Sequence, residues 1–263
     1  MVAINQWEQA ADSMYTLCGK DRIHPSTDGH LVMAYLFLKA QGLAGKLVAD
    51  IRIDGAGKKV TRSDNCRVSD LSVSSDNLTF TYEAKSLPYP IDTSYYDNEK
   101  HTQADALSVI PFMDEMNYEG LSVSGLSDGY YGLTIGGEFI GRFTARELER
   151  GINMALLQNT PQYKQAMKIR QMNEERWLKE RKMREFYWVE YNLMRKTGML
   201  WACDEAAVDT LRKYRPHDIF LQWNGDLWLQ YMHKGIREDC VNEQQDLVDR
   251  IYEPVSYTHL RAH

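Results

Sequence analysis

No long apolar run occurs in this 263-residue chain: the longest, residues 31–38, falls far short of the ~20 residues that a membrane-crossing helix needs. No membrane span is therefore expected. Cysteine is scarce and scattered. Cys18, Cys66, Cys203 and Cys240 form no Cys-x-x-Cys, which removes zinc ribbons and thioredoxin-type redox sites. An excess of positive charge is also missing. Lys and Arg total 31 against 37 Asp and Glu, and the net charge of −6 gives nucleic-acid binding no electrostatic footing. The first residues lack a charged-then-apolar leader pattern. No Ser-x-x-Lys occurs anywhere. Ser63-Asp64-Asn65 and Lys196-Thr197-Gly198, which imitate motifs of penicillin-recognising enzymes, are set aside for that reason. What remains is the composition of an ordinary globular protein, 43% hydrophobic and 26% charged, long enough for one large domain or two smaller ones.

One stretch near the start concentrates the chemistry: Asp21-Arg22-Ile23-His24-Pro25-Ser26-Thr27-Asp28-Gly29-His30. Residues 13–17 before it read as a strand, and residues 31–41 after it read as a buried helix, apolar on nearly every side. Ser26, Thr27 or Asp28 caps that helix, and Gly29 permits a tight entry into it. Asp21 and His24 thus fall on a loop between regular elements, where a scaffold holds reactive side chains. A neutral imidazole near its ordinary pKa takes a proton from a hydroxyl nucleophile. A carboxylate three residues earlier folds back onto the other ring nitrogen and fixes tautomer and orientation. Pro25 restricts His24 to extended backbone.

Asp21-x-x-His24-Pro25, then Gly29-His30 and the apolar helix Leu31-Val32-Met33-Ala34-Tyr35-Leu36-Phe37-Leu38, resembles the last conserved block of SGNH (GDSL-type) esterases. In that family the block supplies the Asp and His of a Ser-His-Asp triad. The resemblance implies Asp21 as orienting acid and His24 as base. The family's Gly-Asp-Ser nucleophile turn, oxyanion glycine and Gly-x-Asn-Asp segment occur nowhere in this chain, and only twenty residues precede Asp21. The sequence is therefore read as the C-terminal part of a longer hydrolase, with its nucleophilic Ser in a missing N-terminal part.

Residues 3–11 read as a short helix, and Gly42 closes the helix after the loop. Period-two patterning then marks strands at 47–54, 58–62, 67–73, 78–84, 120–126, 130–135 and 138–143. Ser75-Asp76-Asn77 joins two of them, Gly136-Gly137 is a hairpin turn, and residues 87–101 are irregular. Many short strands at close spacing suggest a small antiparallel sheet or sandwich. Thr144-x-x-Glu147 is a capping box opening a helix over 145–157. Thr160-Pro161 starts a long helix towards Lys196, stopped before Gly198; its dense mixed charge reads as a solvated arm, with a partner surface as the minority reading. Further helices are placed at 204–214, 218–236 and 241–252. Residues 255–263 resemble translated sequencing-adapter read-through and are set apart as a non-native tail.

Two other constellations compete. Asp21, His24, Asp28 and His30 have spacing that permits a metal site. The apolar helix directly behind His30 favours a buried structural role for that ring, and neither metal nor cofactor is expected. Without the family resemblance, a merely structural His24 would lead. Trp177, Trp188, Trp201, Trp223 and Trp228 raise carbohydrate stacking. Trp223 and Trp228 lie among Phe220, Leu221, Leu227 and Leu229, so core packing is preferred.

The sequence therefore predicts an α+β fold. Residues 1–44 are the end of an SGNH hydrolase domain, 45–143 a β-rich region, and 144–254 a helical extension. The expected activity is ester hydrolysis with Asp21 and His24 as catalytic residues. The expected partners are a small-molecule or carbohydrate ester, an O-acetylated sugar being favoured by resemblance, and the missing N-terminal part of the same protein. A non-catalytic interaction or glycan-binding module is the alternative.

Overall fold

The computed structural model describes residues 1–19, 21–74, 77–94, 101–253 and 260–262. It is an α+β protein of two compact units. The first takes Met1–Met167 together with the strand Leu260–Ala262, and the second takes Lys168–Val255.

In the first unit, helix α1 (Val2–Glu8) precedes the loop and helix α2 (Thr27–Ala40) follows it. No strand forms over residues 13–17, contrary to expectation. That segment runs as turns, and Cys18 makes only an isolated bridge to Pro25. The Leu17 amide bonds the Asn5 side chain at 3.0 Å, and Asp12 and Thr16 bond amides two residues on, so local side chains supplant a sheet partner. Helix α2 buries Leu31, Val32 and Tyr35 with Leu17, Ile91, Ala106, Ile110 and Phe112. Its opposite face, with Met33 and the 64% exposed Phe37, stays uncovered.

Two sheets share one core. Strands β1 (Ala49–Asp54), β2 (Lys59–Asp64), β5 (Glu119–Ser124) and β8 (Ile152–Asn153) order as β2-β1-β5-β8. Strands β3 (Cys66–Val73), β4 (Leu78–Ala84), β6 (Tyr130–Ile135), β7 (Glu138–Thr144) and β9 (Leu260–Ala262) order as β3-β4-β9-β6-β7. Ile51, Ile53, Leu121 and Val123 from one sheet join Phe80, Tyr82, Leu133 and Ile135 from the other in a single buried cluster, as alternating inward residues of a sandwich do. The expected purely antiparallel arrangement is corrected at its centre. β1 and β5 pair in parallel, Ile51 against Leu121, and the long crossover between them carries the short helix α3 (Phe112–Glu115). The Ser75–Asp76 connection, residues 95–100, and most of the tail at 255–263 lie outside the described residues.

The capping box at Thr144 forms as expected, with the Glu147 amide donating to Thr144 Oγ1 at 3.2 Å and the Thr144 amide to Glu147 Oε2 at 2.7 Å. The helix it opens, α4, spans only Ala145–Arg150 and not 145–157. Gly151, at φ +94, turns the chain out of the helix. Asn153 then anchors the exit: its amide group donates to the carbonyls of Met113 and Asn117, and its oxygen accepts from the amides of Glu119 and Ala155.

Helix α5 (Pro161–Val189) contains the division between the units and passes into a π-helical turn, Glu190–Met194. Its charges form i,i+4 pairs, Arg170–Glu174, Arg176–Glu180 and Arg181–Glu185. The expected charged arm is thus only one face. Met183, Phe186, Val189, Leu193 and Met194 belong to the core of the second unit with residues of α6 (Glu205–Tyr214), α7 (Ile219–Tyr231) and α8 (Lys234–Tyr252). The expected break near 236–241 falls instead at Met232 and His233. There Arg237 reaches back and donates to the carbonyls of Tyr231 and Met232, satisfying the end of α7. Trp228 is fully buried as expected; Trp223 is 66% exposed, correcting its assignment to the core.

Candidate active site

The loop that carries Asp21 and His24 is closed by its own backbone. The Gly19 amide donates to His24 O at 2.7 Å, the Ser26 amide to Leu17 O at 3.1 Å, and the Arg22 amide to Gly19 O at 2.9 Å. Gly29 is needed where this loop meets α2: a Cβ there would stand 2.0 Å from the Leu17 carbonyl oxygen. The expected capping is altered. Ser26 occupies the N-cap position, but its hydroxyl donates to Leu17 O and bonds the Asp28 carboxylate without capping the helix.

Within this frame Asp21 is held from three sides. Oδ1 accepts the amides of Ile23 (2.9 Å) and His24 (3.1 Å), and Oδ2 lies 2.6 Å from His24 Nδ1. The His24 ring bond, with the two amide bonds behind it, pulls the Asp21 carboxyl down to about 2. Asp21 is therefore ionised at every ordinary pH and accepts from Nδ1. That leaves Nε2 as the proton-accepting nitrogen of a neutral ring. His24 is 83% and Asp21 48% exposed at the side chain, so the imidazole stands open to whatever approaches the loop.

The other two groups of the possible metal site do not join them. Asp28 is buried, accepts the Gly29 amide at 2.8 Å through Oδ1, and has His101 Nδ1 3.5 Å from Oδ2. His30 is exposed, which corrects its expected burial: it falls on the uncovered face of α2 with Met33 and Phe37. Among the described residues no group of three or more His, Cys, Asp or Glu is placed to hold a metal ion, and no helix is long and apolar enough to cross a membrane.

Two buried glutamates escaped the sequence reading. Glu119 Oε1 accepts Tyr82 Oη at 2.8 Å and Gln162 Nε2 at 3.1 Å, while Glu119 Oε2 and Gln162 Oε1 have no partner among the described residues. Burial drives the Glu119 carboxyl up to about 7, the two hydrogen bonds opposing it. In the second unit, Glu190 Oε1 accepts Trp228 Nε1 at 2.8 Å and Oε2 accepts the Trp201 amide at 3.0 Å. Both were visible in phase. Glu119 alternates with Leu121 and Val123, and Glu190 follows Met183 and Phe186 at helical spacing.

Comparison with known proteins finds likeness at two levels. Residues 167–255 match the family model of the diltiazem deacetylase C-terminal helical domain. A solved structure of a gut microbial diltiazem-metabolizing enzyme then matches all of this chain, with a TM-score of 0.92 and 41% sequence identity. The chain spans 59% of the length of that enzyme. No curated protein matches.

Proposed function

We propose that this chain is the C-terminal part of an SGNH-type ester hydrolase that removes acetyl groups. Residues 1–44 would close its catalytic domain, followed by the β-rich region 45–143 and the helical extension 144–254. The observation that carries this reading is the 2.6 Å contact between Asp21 Oδ2 and His24 Nδ1 on an exposed, backbone-closed loop. Its support is the likeness to an enzyme described as diltiazem-metabolizing and to a deacetylase domain family.

In this mechanism a Ser hydroxyl from the preceding part of the protein attacks the ester carbonyl. His24 Nε2 takes the hydroxyl proton as the new C–O bond forms, then gives it to the departing alcohol as the old one breaks. Water enters by the same route in reverse. Its proton passes through His24 to the Ser oxygen, and acetate leaves. Asp21 holds the ring tautomer and offsets the charge on the imidazolium. The acetylated alcohol would be a drug-like ester such as the named relative's, or an O-acetylated carbohydrate.

The test is aryl-acetate hydrolysis by two proteins: this chain alone, and the protein encoded with whatever precedes it. The longer protein should turn over and lose turnover with His24→Ala, while the chain alone stays silent. Hydrolysis by the chain alone that His24→Ala abolishes would place the nucleophile among these residues. Full activity of His24→Ala in the longer protein would end the proposal.

A further inference from the structure

The second unit holds a cleft of about 510 Å³, the size of small-molecule sites, lined by Tyr187 of α5, Trp201, and Lys234, Arg237, Glu238 and Asn242 of α8. Three features show that its aromatic wall is built rather than incidental. The first is the π-helical turn Glu190–Met194, a distortion frequent at functional sites, after which Gly198 at φ +77 ends the helix with the Met199 amide on Met194 O (2.7 Å). The second is the turn closed by the Ala202 amide on Met199 O (2.9 Å), whose third residue is Trp201 at φ +64. Glycine or asparagine is the usual occupant of such a position. A tryptophan there is strained and persists only when its surroundings impose it. The third is what imposes it. Buried Glu190, anchored by the Trp228 indole, accepts the Trp201 amide. Yet the side chain so placed is not spent on the core. It remains 45% exposed and stands edge-to-face on Tyr187 (6.0 Å) and Tyr191 (5.9 Å).

The polar wall narrows the ligand. Lys234 is paired with Glu238 at 3.3 Å. Arg237 gives Nη1 to two backbone carbonyls and lies over the Phe186 ring. The positive charge of Lys234 is shared with an acid and Arg237 is tied by Nη1 to the backbone, so the wall offers no cluster of free cations aimed at an anionic ligand. The donors of Lys234, the acceptors of Glu238 and the mixed amide of Asn242 surround an indole surface, which suits a ligand with an apolar ring face and hydroxyls at its rim. We propose that this cleft binds a neutral sugar ring of an oligosaccharide, stacked on Trp201 and hydrogen-bonded through Asn242, Lys234 and Glu238. The inference does not depend on the esterase reading, since it concerns binding alone.

The strain supplies the test. Glycine relieves φ +64, so Trp201→Gly should keep or raise the thermal midpoint while removing the stacking platform. The chain is titrated by calorimetry with cellohexaose, xylohexaose, maltohexaose and diltiazem, each to about 10 mM, beyond the millimolar end of weak affinities. At least one hexaose should bind saturably, and Trp201→Gly should weaken it at least tenfold without lowering the midpoint. Should that midpoint fall, Asn242→Ala, an exposed helix substitution, carries the decision: about a fivefold loss of affinity at unchanged midpoint is expected. No saturable binding of any hexaose, binding of diltiazem alone, or unchanged affinity in both variants would overturn the proposal.

Discussion

Asp21 and Glu119 belong to the same unit and carry the same functional group, and their environments drive them in opposite directions. Asp21 lies on an exposed turn where two amides and an imidazole converge on its carboxylate, and it titrates at about 2. Glu119 lies inside, where Tyr82 and Gln162 donate to one oxygen and none of the described residues meets the other, and burial pushes it up to about 7. Hydrogen bonds favour the ion in both places; desolvation outweighs two of them in the core and none at the surface. An acid that must stay ionised while a neighbouring imidazole gains a proton belongs at the surface turn. An acid that keeps its own proton near neutral pH suits a structural role, because a neutral carboxyl still accepts from Tyr82 and Gln162 without burying a charge.

Activity should separate the two most widely. In the longer protein, His24→Ala should lower kcat by about 10⁴-fold or more, and Asp21→Asn by about 10²- to 10⁴-fold through loss of the correct tautomer. Glu119→Gln should leave kcat within about threefold, as expected of a group that meets no substrate. A Glu119→Gln loss as large as that of Asp21→Asn, measured as kcat on an aryl acetate, would erase the distinction.

Stability should reverse the ranking. Between pH 4.5, the ordinary glutamate value, and about 7, the unfolded chain has lost the Glu119 proton and the folded chain has kept it. Stability therefore falls as pH rises through that window and levels off above it, by on the order of 3 kcal/mol from this group alone. Glu119→Gln keeps an acceptor for Tyr82 and Gln162 and carries no charge to bury. It should flatten that slope and raise urea-unfolding stability at pH 8 by about 2 kcal/mol. A variant less stable than the parent at pH 8 would mean that Glu119 is ionised and paired in the folded protein.

A third comparison lies in the turn at Trp201. Glu190→Ala would leave both the Trp228 indole and the Trp201 amide without their acceptor, a loss of about 3 kcal/mol. Trp201→Gly should show no loss. If both destabilise equally, Trp201 serves the core.

The sequence disclosed what is periodic or local. Strands β4 and β6 fall at 78–84 and 130–135 as read, the capping box at Thr144 forms, and Gly198 stops the long helix. The Asp21–His24 contact was also legible, because a three-residue spacing on one turn needs no tertiary information. What depends on distant chain was not. The parallel pairing of β1 with β5 leaves no mark in either strand, and residues 13–17 have a strand's composition without a strand's partner. His30 leads into an apolar run, yet the helix has one uncovered face and His30 is on it. Trp201 was legible only as one of five tryptophans that could stack on a carbohydrate; its turn was not, since its backbone conformation is one that sequence patterns assign to glycine.

The smallest effect should be the stability contribution of Asp21 itself. Its ordinary value is 3.8, and the folded turn lowers it to about 2. Above about pH 4 both folded and unfolded chains hold the ion, and the full benefit of its bonds is present. As pH falls from there towards 2, the unfolded chain takes up the proton first and the benefit drains away. The side chain lies at the surface, half open to water, so solvent screens the attraction and little of it survives as net stability. Asp21→Asn should therefore leave the thermal midpoint at pH 7 nearly unchanged. Its signature should appear in the acid limb, where the midpoint of the parent falls more steeply between pH 4 and pH 2 than that of the variant. Carboxyl carbon shifts followed by NMR over the same range read the titration directly. An Asp21 that titrates near 4 would mean that the turn does not hold it, and the imidazole beside it would lose its fixed orientation. If Asp21→Asn instead lowers the midpoint by many degrees at pH 7, the turn is a structural staple of the unit, and the exposed acid and the buried one differ less than their positions suggest.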